Sequence, residues 1–297
     1  MEKTSKIKGL VYGILSSSTF GLIPLFAVPA MNSGIGLNSL VLYRFGISAL
    51  VLGLWMLITR QNLRITVKEI VTIFFLGLFY GRTAIMLTAS YQFIPSGIAT
   101  TIHFLYPVVV TAIMVLFFKD KVSIMLIAAI LLAISGVYML SSGDGAGELN
   151  FKGLVLVLAT VVTYALYIVG VNKSAVAKMD GLKLTFYVLL VGAFVFTGNL
   201  LFRGESLDLP QDFSCAMDLV LLALVPTVVS DFTLIKAVQN VGSTTTAVLG
   251  CMEPLTAVAM GVLFLGESFA VKQMVGIIVV LVAVTMVIIA NSRTAKK

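Results

Sequence analysis

The most informative stretch of the sequence is Ser96–Phe117, SGIATTIHFLYPVVVTAIMVLF, which returns 147 residues later as Ser243–Phe264, STTTAVLGCMEPLTAVAMGVLF. The two stretches share their first serine, a proline at the same position (Pro107 and Pro254) and a final Val-Leu-Phe. Each is 22 residues long, and about 20 apolar residues in a helix cross the hydrocarbon core of a bilayer. The pair therefore predicts a membrane-spanning helix that occurs twice, and so a chain built from an internal repeat.

The repeat extends beyond this stretch. Residues 8–11, Lys-Gly-Leu-Val, match residues 152–155, which have the same four letters. We therefore divide the chain into a first repeat, residues 1–144, and a second repeat, residues 145–297.

Composition excludes an ordinary soluble enzyme. Of the 297 residues, 59% are apolar and 11% are charged, whereas an average soluble domain has about 25% charged residues. The two cysteines give no disulfide framework, and no basic cluster interleaved with aromatic residues suggests nucleic acid as a partner. No phosphate-binding G-x-x-x-x-G-K-[ST] stretch is present, so direct ATP drive is not indicated, and we predict no cofactor.

Apolar runs predict ten spans. They cover approximately residues 9–29, 38–58, 70–91, 96–117, 122–140, 153–172, 183–202, 216–237, 243–265 and 272–290. Because each repeat holds an odd number of spans, five, the second repeat must enter the membrane from the opposite side. The predicted fold class is an all-α membrane protein whose ten transmembrane helices form two inverted five-helix repeats, an arrangement typical of alternating access around a central site.

Charge placement predicts the orientation. Fifteen of the 20 Lys and Arg residues fall in the segments that are cytoplasmic if both termini are cytoplasmic. Only Lys152, Arg203 and Lys272 fall in the outer segments. This bias obeys the positive-inside rule and predicts a multi-pass protein with both termini in the cytoplasm. An alternative for the first span is a secretory signal, since Val28-Pro29-Ala30 resembles a cleavage site; its apolar run is longer than a signal core, and its match to the second repeat favours a retained helix.

Several motifs carry a resemblance to a known family. They are Phe20-Gly21, Tyr43-Arg44-Phe45, Tyr164-Ala165-Leu166-Tyr167, Glu253-Pro254-Leu255 and Leu265-Gly266-Glu267. In order, spacing and duplication the chain resembles the drug/metabolite transporter superfamily, specifically its ten-helix EamA type, over almost its whole length. The resemblance implies a carrier of the cytoplasmic membrane that moves small metabolites, often amino acids or related compounds and often outward. It also implies a central cavity walled by spans 1, 3, 4, 6, 8 and 9. One departure is Lys119-Asp120, where the first repeat of the family usually has Gly-Glu.

Five ionisable residues lie within the predicted spans: Arg44, Arg82, His103, Asp231 and Glu253. Charged groups are costly in hydrocarbon and usually mark pathways or pairs. At 1.5 Å per helical residue, Arg82 and Glu253 both reach the midplane and could pair. The pair would either lock two spans together or take part in binding substrate or protons; the alternative is that the two residues occupy separate solvated sites. Asp231 lies nearer the inner end of its span, either at the cavity mouth or as a water-exposed acid.

The repeated stretch places chemistry on matched faces. His103, Tyr106 and Pro107 share one face of the fourth span, and Glu253 and Pro254 lie on the corresponding face of the ninth. Because proline bends a helix, we predict that Pro107 and Pro254 are matched hinges or, alternatively, packing kinks.

The one histidine and three tyrosines are the remaining candidates. As the only histidine, His103 offers no metal constellation, and it is either a hydrogen-bonded packing residue or a proton relay. Tyr80, Tyr106 and Tyr164 join an aromatic ring to a polar tip, which suits an amphipathic metabolite.

We therefore predict a secondary transporter of small organic metabolites and not an enzyme, with a small-molecule substrate, the lipid bilayer and, in one variant, protons as partners. The alternatives are an intramembrane enzyme acting on lipid-linked substrates and a carrier of drugs or nucleotide sugars. The sequence leaves the substrate, the direction of transport and the oligomeric state open.

Overall fold

The computed structural model describes residues 2–119, 124–141 and 150–294, and this part of the chain is helical throughout its length apart from short connections. The helices are α1 (Glu2–Phe20), α2 (Ile23–Asn32), α3 (Leu37–Ile58), α4 (Val67–Ser90), α5 (Ser96–His103), α6 (Tyr106–Phe118), α7 (Ile124–Ser141), α8 (Phe151–Lys173), α9 (Gly181–Arg203), α10 (Phe213–Ala223), α11 (Ser230–Leu249), α12 (Met252–Phe264) and α13 (Val271–Thr294). A π-helical turn, Leu224–Val229, joins α10 to α11.

The described helices account for all ten predicted spans. Eight helical stretches are long and apolar enough to cross a membrane, and two shorter apolar helices, Ile127–Leu140 and Met252–Phe264, correspond to the fifth and ninth spans. Large apolar side chains such as Phe202, which is 93% exposed, cover the outside of the bundle and are suited to contact lipid. The prediction of an all-α membrane protein with ten spans in two inverted repeats is confirmed.

Three of the spans are interrupted near their middle, each next to a proline. Two residues separate α1 from α2, and Pro24 is the second residue of α2. Two residues also separate α5 from α6 and α11 from α12, where Pro107 is the second residue of α6 and Pro254 the third of α12. Proline lacks the backbone N–H of a helix interior, so the break lies just before it. The breaks at Pro107 and Pro254 occupy matched positions in the two repeats; their role as hinges stays a prediction.

The boundary between the eighth and ninth spans lies inside α11. A β carbon at Gly13 of α1 would lie 3.6 Å from Cβ of Ala237 and 2.5 Å from Cδ1 of Leu249. A straight helix would separate these two residues by about 18 Å. The chain therefore reverses direction between Ala237 and Leu249, although helical hydrogen bonding continues through the reversal.

The two repeats interlock. The most extensive helix contacts are α1 with α11, α7 with α13, α4 with α8, and α3 with α9, and each pairs a helix of the first repeat with one of the second. Small residues permit this approach; a β carbon at Gly77 of α4, for example, would collide with the Val191 side chain of α9.

The two ends of the bundle differ in charge. We call the end that carries Arg64 and Lys183 the basic end. There the Lys183 ammonium donates to the Arg64 carbonyl, and the Tyr187 hydroxyl donates to the Leu63 carbonyl. These bonds join the α3–α4 connection to α9. The opposite end is joined by Glu267, whose carboxylate accepts hydrogen bonds at the start of α5.

Candidate functional site

A central cavity of about 320 Å³ lies where the two repeats meet. Its walls come from α1, α4, α6, α8, α9, α11 and α12. These helices include all six spans named by the family resemblance, and the seventh span, α9, also contributes. Neither α7 nor α13 lines the cavity; the two pack against each other at its periphery.

One wall of the cavity is aromatic. It consists of Phe20, Tyr80, Tyr106, Tyr164 and Tyr167. The rings contact one another directly: the Tyr106 and Tyr164 centroids are 4.6 Å apart with perpendicular planes, and those of Tyr80 and Tyr167 are 5.1 Å apart. This arrangement holds ring faces and hydroxyl groups toward one small space, so it suits a ligand with both apolar and polar parts.

Two acidic side chains face the same space. Glu253 lies in the first turn of α12 and is 9% exposed, and Asp231 lies in the first turn of α11 just after the π-helical turn. Within the described residues, neither carboxyl group has an ion pair or a side-chain hydrogen bond. No lysine or arginine lines the cavity. The cavity therefore offers two free carboxyl groups to a ligand.

Hydroxyl groups hold the α1 side of the cavity in place. The Ser16 hydroxyl donates to the Ser230 carbonyl at 2.8 Å, and the Ser230 hydroxyl donates to the Ser16 carbonyl at 2.9 Å. Because these bonds are reciprocal and buried, they fix α1 against α11 one residue before Asp231.

The predicted pairing of Arg82 with Glu253 is wrong. Arg82 is exposed on the outside of α4 and faces a groove beside α9, whereas Glu253 faces the central cavity. The depth of Arg82 along α4 did not reveal the direction of its side chain, because a helix rotates by about 100° per residue. Arg82 is therefore removed from the residues that line the cavity.

Arg44 is a buried cation that lies next to the cavity but does not line it. It is 4% exposed, its Nε donates to the Thr227 hydroxyl at 3.0 Å, and its guanidinium lies 5.8 Å from the Phe20 ring. Its Nη2 is buried without a hydrogen-bond partner, and its charge acts on both Asp231 and Glu253. Sequence reasoning found Arg44 within a span but not beside this cavity.

His103 lies behind the tyrosine wall. It is 2% exposed, and its Nδ1 is 2.9 Å from the Thr160 hydroxyl of α8. Its ring is packed against Tyr164, with centroids 5.1 Å apart. This placement fits the hydrogen-bonded packing residue better than the proton relay, since His103 does not line the cavity.

The remaining tyrosine candidates all line the cavity. Tyr80, Tyr106 and Tyr164 are joined there by Tyr167, which sequence reasoning did not select. Tyr167 follows Tyr164 by three residues on α8, so the helical period places both on one face. That spacing is the signal that could have found it.

The cavity extends from the middle of the bundle toward the basic end. Val171, Thr185 and Val238 line it, and they lie close to the end of α8, the start of α9 and the reversal in α11. At the opposite end, the Glu267 carboxylate accepts hydrogen bonds from the Ser96 and Gly97 backbone amides, at 2.6 and 3.2 Å.

Comparisons with known proteins agree on the family. The sequence model of the EamA-like transporter family matches residues 7–142 and 151–289. The chain is 22% identical over 200 residues to the "Uncharacterized inner membrane transporter YicL" of Salmonella typhimurium. The match covers 67% of this chain and 66% of the relative, so this chain spans just under two thirds of that relative's length. It is also 22% identical over 238 residues to the "Uncharacterized transporter YdfC" of Bacillus subtilis, spanning 80% of this chain and 77% of that relative.

A solved structure shares the fold. It is described as "Crystal structure of protein", superposes with a TM-score of 0.67, and covers 98% of both chains at 16% sequence identity. Within the described residues, no group of three or more His, Cys, Asp or Glu side chains could hold a metal ion.

Proposed function

Because the chain belongs to the EamA-like transporter family and is a multi-pass membrane protein, we propose that it is a secondary transporter of small organic metabolites that carry an amine, such as amino acids or related compounds. It works by alternating access: the two inverted repeats move relative to each other and expose the central cavity first at one end and then at the other.

The observation that carries this proposal is the pairing of two carboxyl groups with an aromatic wall in one cavity. Glu253 and Asp231 attract a protonated amine, and the tyrosine rings accommodate its cationic and apolar parts. A volume of about 320 Å³ is at the lower limit of known ligand pockets. This size and the absence of basic lining residues disfavour a nucleotide sugar, which carries phosphates.

We propose export as the direction of transport, with the net flux set by the gradients because alternating access is reversible. The basic end is the cytoplasmic end under the positive-inside rule, which puts both termini in the cytoplasm and makes the present arrangement inward-facing. A cavity that loads from the cytoplasm suits an exporter in the cytoplasmic membrane. The driving force is either the proton gradient, through Glu253 or Asp231, or the gradient of the substrate itself.

The test begins with a comparison of metabolites in medium and cytosol after overproduction, followed by flux measurements with the purified protein in vesicles. We expect an amine-bearing compound to be exported. Glu253→Gln should lower kcat/KM for that compound at least tenfold, because it removes a charge-assisted contact. Glu205→Gln, at an exposed acid outside the cavity, is the matched control and should leave flux unchanged.

Two results would contradict the proposal. One is transport only of compounds that lack an amine, with Glu253→Gln as active as the wild type. The other is conversion of a lipid-linked compound without any flux, which would favour an intramembrane enzyme. Proton coupling is tested separately by measuring flux across pH: an unchanged rate and pH profile in Glu253→Gln would remove that residue from coupling.

A further inference from the structure

Arg82 lies in a lateral groove between α4 and α9 that is separate from the central cavity. It lines two adjoining spaces, of about 730 and 610 Å³, which also share Ile85 and Asn199. Arg82 precedes Ser90, the last residue of α4, by eight residues, so its backbone is about 12 Å below the helix end. The groove therefore reaches from one membrane surface into the hydrocarbon region.

The groove is polar near the surface and apolar below it. The first space is bordered by Arg203, Glu205 and Asp208 of the connection that follows α9. The second is bordered mainly by apolar residues, including Phe79 and Val195. A ligand with a charged head and a long apolar body matches this order.

Arg82 lacks a counter-charge, although acids are near. Within the described residues, its guanidinium makes no hydrogen bond or ion pair. Glu205 is engaged by Arg203 at 3.6 Å, and Asp208 accepts a hydrogen bond from the Gly36 amide at 2.9 Å. An arginine at this depth is costly unless it meets an anion. An anion from outside the chain would balance this charge.

We propose that this lateral groove binds a glycerophospholipid of the membrane, with the phosphate on Arg82 and an acyl chain along the apolar part. The planar guanidinium donates two parallel hydrogen bonds to phosphate oxygens. Asn199, whose amide nitrogen already donates to Asn38 at 2.9 Å, borders the phosphate. Membrane proteins bind lipid head groups in basic pockets between spanning helices, and here the bilayer-facing opening gives the acyl chain its path.

The experiment measures lipid binding to the full-length, delipidated protein by native mass spectrometry, with phosphatidylglycerol as the probe. Arg82→Gln should weaken binding at the tightest site about tenfold or more, because it removes a charged hydrogen-bond donor. Lys68→Gln makes the same charge change at an exposed position at the other end of α4 and should not alter affinity.

A second variant tests the apolar part without changing charge. A β carbon at Gly198, which borders the groove, would meet no atom within 4 Å. The Cβ of Gly198→Leu therefore enters open space at the groove, and the added apolar side chain should also weaken phosphatidylglycerol binding. Diacylglycerol with the same acyl chains should bind at least tenfold more weakly than phosphatidylglycerol, and inorganic phosphate at about 10 mM should not displace the lipid.

Each opposite result overturns the proposal. Equal affinity of Arg82→Gln and wild type, or of diacylglycerol and phosphatidylglycerol, would show that the phosphate is not recognised at Arg82. Displacement by inorganic phosphate together with unchanged binding in Gly198→Leu would show a simple anion site and no lipid site. Because lipid binding is measured without flux, its failure is independent of the proposed transport function.

Discussion

His103 shows how a titratable residue can sit beside a site without belonging to it. Its Nδ1 is paired with the Thr160 hydroxyl, and the tyrosine wall separates it from the cavity. Buried polar side chains normally have at least one hydrogen-bond partner, and Thr160 provides one for His103. His103 therefore has what a buried packing residue needs.

We expect His103→Gln to keep transport and its pH dependence and to lower stability by about 1 kcal/mol, the usual loss for one hydrogen bond. Thr160→Val removes the same bond from the other side, together with its bond to the Val157 carbonyl, so the double variant should lose less than the sum of the two single variants. Thermal unfolding in detergent and flux across pH provide the measurements. A shifted pH profile of transport in His103→Gln would contradict this expectation and support the alternative that His103 is a proton relay.

Arg44 is a second residue whose role depends on its neighbours. It is buried between Thr227 and Phe20, at the junction where the π-helical turn leads into α11. A buried guanidinium with an unpartnered Nη2 is an expensive group to keep. Arg44 lies behind Phe20 and does not line the cavity. Its positive charge nevertheless lies close to the two carboxyl groups of the cavity.

At the scale of the elements, the break between α1 and α2 fits closely against α12. A β carbon at Gly21 would collide with the Glu253 carbonyl oxygen and lie 2.8 Å from Cβ of Thr256. The first break therefore supports the turn that carries Glu253, so backbone packing and site geometry depend on the same contact.

Gly21→Ala should accordingly lower the free energy of unfolding by about 1–3 kcal/mol, the usual cost of overpacking. Gly46→Ala is the matched control, because a β carbon there meets no atom within 4 Å and alanine favours a helix over glycine. Thermal unfolding of both variants in the same detergent measures the difference. Equal midpoints for the two variants would refute the close contact.

The α5 N-terminus depends on an acid from the other repeat. Glu267 satisfies two backbone amides of α5, and a carboxylate at a helix N-terminus is favoured by the helix dipole. By the repeat, the corresponding acid of the first half is Asp120, which lies outside the described residues. The Glu267 contact joins the fourth and ninth spans at the end opposite to the basic end.

We expect Glu267→Gln to destabilise the protein by about 1–2 kcal/mol, since the charge of the cap is lost. Glu205→Gln, at an acid on the same end that pairs only with Arg203 and Asn38, should cost about 0–1 kcal/mol. Unfolding midpoints compare the two. A Glu267→Gln protein as stable as the wild type would mean that the cap does not hold this end.

At the scale of the whole molecule, the orientation is the property that most needs a direct measurement. Ser206 and Lys178 are both exposed, in the connections that follow and precede α9 at opposite ends of the bundle. The positive-inside rule puts Ser206 outside and Lys178 inside.

In a background with both native cysteines replaced by alanine, Ser206→Cys should react with a membrane-impermeant maleimide in intact cells, and Lys178→Cys should react only after the membrane is permeabilised. Reaction of Lys178→Cys in intact cells, with protection of Ser206→Cys, would invert the proposed topology and make the present arrangement outward-facing.

Much of the fold followed from the sequence, but less of the site. Span positions and the duplicated proline were readable because hydropathy and repetition are properties of the chain in one dimension. Sequence depth placed Glu253 near the membrane centre, and the structure places it in the central cavity, yet the same reasoning paired it with Arg82, which faces the outside. Depth depends only on residue number, whereas the facing partner depends on rotation about each helix axis and on how helices cross.

The sequence by itself determined ten spans, two inverted repeats and the excess of positive charge at one end, because the cost of burying charge in lipid acts on every span separately. Only the tertiary structure decided which polar groups meet. It brought Asp231, Glu253 and four tyrosines into one cavity, put Arg44 behind it and turned Arg82 to the outside. Those outcomes depend on the breaks next to prolines and on close helix contacts at glycine, which fix the direction of each side chain only when all the spans are packed together.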